Sequence, residues 1–389
     1  MPELLRAAQM LVMTPGAPVV KDAAVAVESG EILAAGQYAD VRREHSGPVR
    51  DLGDVVLAPA TFNSHVHLEM CHLLGKTHGG EGFVPWIKSL LAQPLYDLDA
   101  ARVRAELLRA EQRGVAFMAD ISTHNAPAIG PIMAGSGLGF VSFREVIGND
   151  VPADSAELLP RVREVDECGR GVMSVAGHAL YSTGMERLRA SKQAARAAGG
   201  LPWSLHLAEN TDEDDMLLRG ESDFLDLLKS RGVLSGYDAP GERPAPLAER
   251  LGLLDADSLL VHCVTLTPGD IELVAKSGAT ACLCPRSNEF IAEGTPPLRA
   301  LLNAGVNLCL GTDGLCSNAD LDPYGEVAWV LAHEPDLSLT DALALVTTNP
   351  ARFFGRGIPY ATRLGRLERG FAARFSVVPA SVLEILSQR

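Results

Sequence analysis

At 389 residues, 47% of them apolar, the chain is long enough for one large domain and a small companion. Its net charge of −15 argues against nucleic acid as a partner and reads as a solvated acidic surface. Apolar runs fall short of the roughly 18 residues that span a bilayer. Met1–Met13 lacks the basic start and cleavage site of a secretory signal, so no membrane partner is expected.

Residues 1–56 hold short alternating stretches between turn signals, as in Ala24–Ile32, the pattern of antiparallel strands. Continuous apolar runs then recur near 55–64, 114–121, 139–143, 171–177, 202–207, 258–263, 280–284 and 306–311. Each has the length and composition of a buried strand. Between them lie helical patterns over Asp99–Arg113, Met185–Ala198, Asp212–Arg231, Thr267–Ser277 and Pro297–Ala304. Alternation of strand and helix predicts a parallel sheet, and eight such units fit a closed (β/α)8 barrel, a TIM barrel of the α/β class. The segment 234–248, rich in Pro, Gly and charge, is the clearest loop. Residues 363–378 again look like short strands. The two chain ends, 1–56 and 357–389, are therefore expected to build one small β-sandwich-like domain beside a barrel of 57–356.

The seven cysteines form no disulfide framework. Cys263, Cys282, Cys284 and Cys309 fall in predicted strands, where cysteine acts as a small apolar residue. The odd count favours a reducing, cytoplasmic setting.

The chemistry gathers at the strand ends. His65 and His67 are two apart, so they share one face of a strand. His178, His206, His262 and Asp313 also stand at C-terminal ends of predicted strands, where barrels of this kind place their sites. Buried imidazoles are costly unless satisfied, and one shared divalent metal ion is the simplest partner. His65, His67, His206 and Asp313 form a set of three imidazoles and one carboxylate. That set suits Zn2+, or Fe2+, and leaves room for a water whose pKa the ion lowers. Glu209, three residues after His206, is placed to move a proton from that water to a leaving nitrogen. His262 is either a fifth ligand or an orienting group, and the orienting role is preferred. Glu145, ending the third barrel strand, is a candidate substrate contact.

These motifs carry a resemblance. His65-Val66-His67, His178–Ser182, His206-Leu207-Ala208-Glu209, His262, Cys284–Asn288 and Gly311–Asn318 resemble the amidohydrolase superfamily over nearly the whole chain. The branch is that of adenosine-type, methylthioadenosine/S-adenosylhomocysteine, guanine and chlorotriazine deaminases or hydrolases. The resemblance implies metal ligation by His65, His67, His206 and Asp313, proton shuttling by Glu209 and orientation by His262. It also implies a base role for Asp313 and a sugar contact for His178. Binuclear relatives commonly supply a bridging lysine from the fourth strand, and Gly171–His178 has none, so a single ion is expected. Finer matches at His67-Leu68-Glu69, Gly82–Ile87, Arg144–Gly148 and Cys284–Asn288 resemble 6-aminodeoxyfutalosine deaminases of the futalosine route to menaquinone. Arg286 then offers a planar fork for the benzoate carboxylate of such a nucleoside. The alternatives are a methylthioadenosine/S-adenosylhomocysteine or guanine deaminase, a chlorohydrolase, or a metal-bound scaffold without activity. Scaffolds of that kind lose ligands or the shuttle acid, and this chain keeps both. A homo-oligomer is compatible with the sequence. Arg374 stands where an aspartate is common in the superfamily.

Overall fold

The computed structural model describes residues 1–159, 169–232 and 237–389. The chain opens with five short strands: β1 Glu3–Met10, β2 Val20–Glu28, β3 Glu31–Gln37, β4 Val49–Asp51 and β5 Val56–Pro59. Eight further strands follow: β6 Thr61–Val66, β7 Val115–Ser122, β8 Gly139–Val146, β9 Gly171–Ala179, β10 Trp203–Leu207, β11 Ser258–His262, β12 Thr280–Leu283 and β13 Asn307–Leu310. The last strand, β14 Phe375–Val377, returns to the first group.

β6 to β13 lie side by side in sequence order, every pair parallel, with helices between them. This is the expected (β/α)8 barrel. Its strands are hidden on both faces, and all residues of β6 and β7 are buried, which explains their continuous apolar runs. β13 comes back against β6. Asn63 Nδ2 donates to Thr312 Oγ1 at 2.7 Å, and Thr312 N–H donates to Asn63 Oδ1 at 3.1 Å. Phe62, Phe117 and Phe354 pack with ring centroids 4.9 to 6.3 Å apart near the strand starts, closing the barrel interior at that end.

The other six strands form one sheet, in which both chain ends meet. β1 pairs antiparallel with β2 and parallel with β4 and β5, and β14 lies antiparallel to β5, with Phe375 opposite Pro59. Arg374 ties this sheet to the barrel through Glu111 (3.2 Å) and the Gly137 carbonyl (2.7 Å). The C-terminal helix Ala380–Ser387 sends Val382 into the apolar cluster that holds Val327 and Val330 of the helix Pro323–His333.

Three local expectations change. The run 55–64 is two strands in two sheets, because the ladder of β5 ends at Pro59, which has no N–H. The pattern over Asp212–Arg231 is two helices, Thr211–Arg219 and Asp223–Ser230. Gly220 takes the left-handed conformation (φ 71°) that ends the first, and the Ser222 side chain caps the second. Within the expected loop 234–248, residues 234–236 lie outside the described residues. Residues 244–248 belong to the helix Pro244–Arg250, whose first position suits a proline that lacks an N–H. Among the described residues six cysteines are free and buried, and no helix is long and apolar enough to cross a membrane.

Candidate active site

β6 delivers His65, and His67 follows where the strand turns into the short 3-10 segment Leu68–Leu73. Buried Asp120 on β7 accepts the Leu68 N–H at 3.0 Å and so anchors that turn. β10 delivers His206 and, past its end, Glu209; β11 ends on His262. β9 carries His178, β8 carries Glu145, and Asp313 follows β13. Backbone strain concentrates here. Ala208 (φ 52°), His262 (72°), Cys263 (56°) and Asp313 (60°) all occupy the left-handed region, at a cost of about 1 kcal/mol or more each. Gly311 permits the close approach that seats Asp313: a Cβ there would come within 2.6 Å of His65 Cβ. The Asp313 N–H then bonds the His65 carbonyl at 3.0 Å.

The expected ligands converge. Asp313 Oδ1 lies 3.5 Å from His65 Nε2 and 3.4 Å from His67 Nε2. The His65 ring is 4.8 Å from that of His67 and 5.0 Å from that of His206. Asp313 Oδ2 accepts from Ser287 (2.6 Å) and Ser317 (2.8 Å), which turns Oδ1 toward the imidazoles. His206 Nδ1 donates to the His178 carbonyl at 2.8 Å, leaving the Nε2 lone pair free, as a metal-binding histidine requires. Both ring nitrogens of His65 and Nδ1 of His67 are buried without a hydrogen-bond partner among the described residues. Such orphaned nitrogens are costly; a divalent cation held by three imidazoles and a carboxylate would answer His65 Nε2, the orphan that faces Asp313.

At His67 burial is outweighed by nearby carboxylates, Asp313 first, which raise the proton affinity; at the other rings burial decides. It holds His65 well below the ordinary imidazole value, brings His206 and His262 down to about 4, and His178 to about 3. These rings are neutral near pH 7 and can ligate or hydrogen-bond. Burial opposes ionisation of Asp313, but contact with His65 and His67 outweighs it and holds the carboxyl well below its usual range.

Glu209 is buried beside this cluster. Its Oε2 accepts from Tyr181 Oη at 2.8 Å, and its Oε1 lies 3.4 Å from His262 Nε2. Burial raises its proton affinity, against the opposing pull of His206 and the Tyr181 bond. A carboxyl in that condition is suited to carrying a proton. Glu145 Oε2 accepts from Thr123 Oγ1 at 2.6 Å, and its Oε1 lies 3.6 Å from His206 Nδ1. Donor atoms of Glu145, His178 and His206 fall within 4.8 Å of one another, and His178 Nδ1 is engaged by Ser182.

Arg286 does not join this group. Its Nη1 pairs with Asp320 (3.0 Å) and lies 3.6 Å from Glu326, so one arm of the fork expected for a substrate carboxylate is engaged within the protein. Other residues at the site were not singled out by the sequence. Tyr181, Ser287, Asn288 and Ser317 sit inside the motif stretches and act through hydroxyl or amide groups that spacing alone does not mark. Glu213, four residues after Glu209, accepts the Glu209 N–H at 2.9 Å. Tyr181 also belongs to an aromatic roof. Its ring lies 6.0 Å from Phe83 and 5.0 Å from Phe224, and Trp86 Nε1 bonds the Cys316 carbonyl at 3.3 Å. The connection from β6 to the helix Phe83–Leu91 is pinned over the strand ends by Gly80 N–H to Phe290 O (2.7 Å) and Gly82 N–H to Ile291 O (2.9 Å).

Residues 56–388 match the model of the Amidohydrolase family, and the chain belongs to that family of hydrolases. It is similar to 5-methylthioadenosine/S-adenosylhomocysteine deaminase of Nitratidesulfovibrio vulgaris (strain Hildenborough), 29% identical over 385 residues, which cover 95% of this chain and 82% of that one. It is similar to aminodeoxyfutalosine deaminase of Deinococcus radiodurans, 26% identical over 363 residues, which cover 89% of this chain and 85% of that one. Among solved structures, an adenosine deaminase from Xanthomonas campestris with bound zinc is 26% identical. It superposes with a TM-score of 0.76 over 98% of this chain and 86% of that chain.

Proposed function

We propose that this chain is a hydrolytic deaminase of an adenine-containing nucleoside, with one zinc ion held by His65, His67, His206 and Asp313 and with 6-aminodeoxyfutalosine as its substrate. The observation that carries this reading is Glu209. A buried carboxyl of raised proton affinity has one oxygen fixed by Tyr181 and the other 3.4 Å from His262, beside the three-imidazole, one-carboxylate cluster. The metal ion, when bound, makes water a nucleophile near neutral pH. Glu209 takes one proton from the attacking water and delivers it to the ring nitrogen next to C6, then takes the second proton from the hydroxyl now on C6 and delivers it to the departing N6. Water has then added at C6 and ammonia has left. His262 orients the attack and His178 stands ready for a sugar hydroxyl. The aromatic roof of Phe83, Trp86 and Tyr181 excludes water from the proton transfers.

The D. radiodurans relative and the finer motifs support 6-aminodeoxyfutalosine, and the zinc-bound X. campestris neighbour supports zinc. The N. vulgaris relative favours a second reading, deamination of 5′-methylthioadenosine or S-adenosylhomocysteine. Ammonia release from 6-aminodeoxyfutalosine, methylthioadenosine, S-adenosylhomocysteine and adenosine separates them. The first should give the highest kcat/KM. A higher value for methylthioadenosine selects the second reading, and release of ammonia from none of the four sinks both.

A further inference from the structure

We propose that Glu293, acting through Asn288, fixes His262 as the tautomer with its proton on Nε2. The helix Pro285–Ile291 ends at Ala292 in the left-handed region (φ 70°), and the Glu293 N–H returns to the Asn288 carbonyl at 3.0 Å. That turn brings Glu293 Oε2 to 2.7 Å from Asn288 Nδ2. The same Nδ2 lies 3.1 Å from His262 Nδ1. An amide nitrogen carries two hydrogens and accepts none, so it can donate to both. His262 Nδ1 is then the lone pair, and Nε2–H is the face turned to Glu209 Oε1.

The opposite arrangement fails on one contact. Turning the Asn288 amide over would set its Oδ1 against Glu293 Oε2, two acceptors at hydrogen-bond distance. Each orientation leaves one amide atom unpartnered (Oδ1 as it stands), so Glu293 decides between them. Burial, with Glu209 as the next cause, raises the proton affinity of Glu293. Oε2 accepts from Asn288 both in the carboxylate and in an acid that carries its proton on Oε1, and only a proton on Oε2 itself would remove the preference.

An Nε2–H ring cannot ligate an ion through that nitrogen. Glu293 thus keeps His262 outside the ligand set, although donor atoms of His262 lie within 4.8 Å of those of His65 and His206. It is a positioning residue. The catalytic consequence rests on the deaminase reading, and the tautomer does not.

The test is nitrogen NMR on the zinc-loaded protein with ring-15N histidine, the His262 signals being assigned by their loss in His262→Asn. Long-range proton–nitrogen correlations should show Nε2–H in the native protein. In Glu293→Gln, whose amide can present either group, they should show a mixture or Nδ1–H at an unchanged melting temperature. In the same variant kcat should fall about 10-fold or more with KM little changed, because part of the population holds the orienting ring in the wrong tautomer. Nδ1–H in the native protein, or an unaltered tautomer in Glu293→Gln, overturns the proposal. If no nucleoside is deaminated, the deaminase reading fails while the tautomer measurement still decides this one.

Discussion

Two clusters of buried polar groups sit at opposite ends of the same strands and are satisfied in opposite ways. At the strand starts, Lys192 is 1% exposed. Its ammonium donates to Asp255 Oδ1 (2.7 Å) and Ser258 Oγ (2.8 Å) and lies 5.2 Å from the Trp203 ring. Trp203 begins β10, Ser258 begins β11, and the Trp203 indole Nε1–H donates to Ser191 Oγ at 3.0 Å. At the strand ends, His65 is just as buried, yet both its ring nitrogens lack a hydrogen-bond partner, and so do His67 Nδ1 and Glu145 Oε1. The first cluster closes on itself and supports the fold. The second leaves polar atoms unanswered, His65 Nε2 among them beside Asp313, the state of a site built for something the chain does not itself supply. Substitutions should therefore cost stability at the strand starts, and metal or turnover at the strand ends.

The largest effect that could break this contrast concerns the metal. Purified protein should contain close to one divalent ion per chain by elemental analysis, and His65→Ala or Asp313→Ala should lose it while remaining folded by circular dichroism. Two ions held with similar affinity would overturn the single-ion reading. Glu209→Gln comes next. It should keep fold and metal while kcat drops about 10²–10⁴-fold, the range for a proton-transferring group. Near-native turnover would leave the proton transfers without an owner. At the other end, Asp255→Asn should cost about 3 kcal/mol in urea unfolding, because it strands a buried ammonium. Adding Lys192→Met should recover much of that loss, since an apolar side chain then replaces the pair. A loss below about 1 kcal/mol for the single variant would mean that the closed cluster contributes little to stability.

The two clusters were not equally legible in the sequence. The clustered histidines and Asp313 were readable because each ends an apolar run, and a parallel barrel presents all such ends on one side. The sharing of one sheet by both chain ends was readable from alternation at the two termini. What failed was decided by contacts far apart in the chain or by backbone conformation. Asp320 and Glu326, which pair with Nη1 of Arg286, are 34 and 40 residues away and leave no local mark. Residues 55–64 read as one strand because both sheets bury apolar side chains, and only Pro59 marks the crossing. Glu293 reaches Asn288 through a left-handed turn at Ala292, a residue type that gives no warning of that conformation. Nothing in the sequence marks Lys192, because Asp255, which closes over it, lies 63 residues on.

The smallest expected effect is on the acid side of the stability curve, and it sharpens the contrast without a mutation that empties a site. Burial would raise the Asp255 carboxyl, but the bonds from Lys192 and Arg196 outweigh it and hold the folded-state pKa at about 2. Its unfolded value is about 3.9. A group depressed on folding contributes stability that is complete above the unfolded value and is lost as pH falls through the folded one. The loss should therefore develop between about pH 4 and pH 2. It should amount to about 2 kcal/mol at most, reduced because the side chain is partly exposed and Arg196 lies at the surface. Urea unfolding at a series of pH values from about 6 down to 2 measures it, with Asp255→Asn as the reference that lacks this titration. The two stability curves should converge as pH falls through that window. Curves that stay parallel down to pH 2 would show that Asp255 is not held below its ordinary value and that the closed cluster is weaker than its hydrogen bonds suggest.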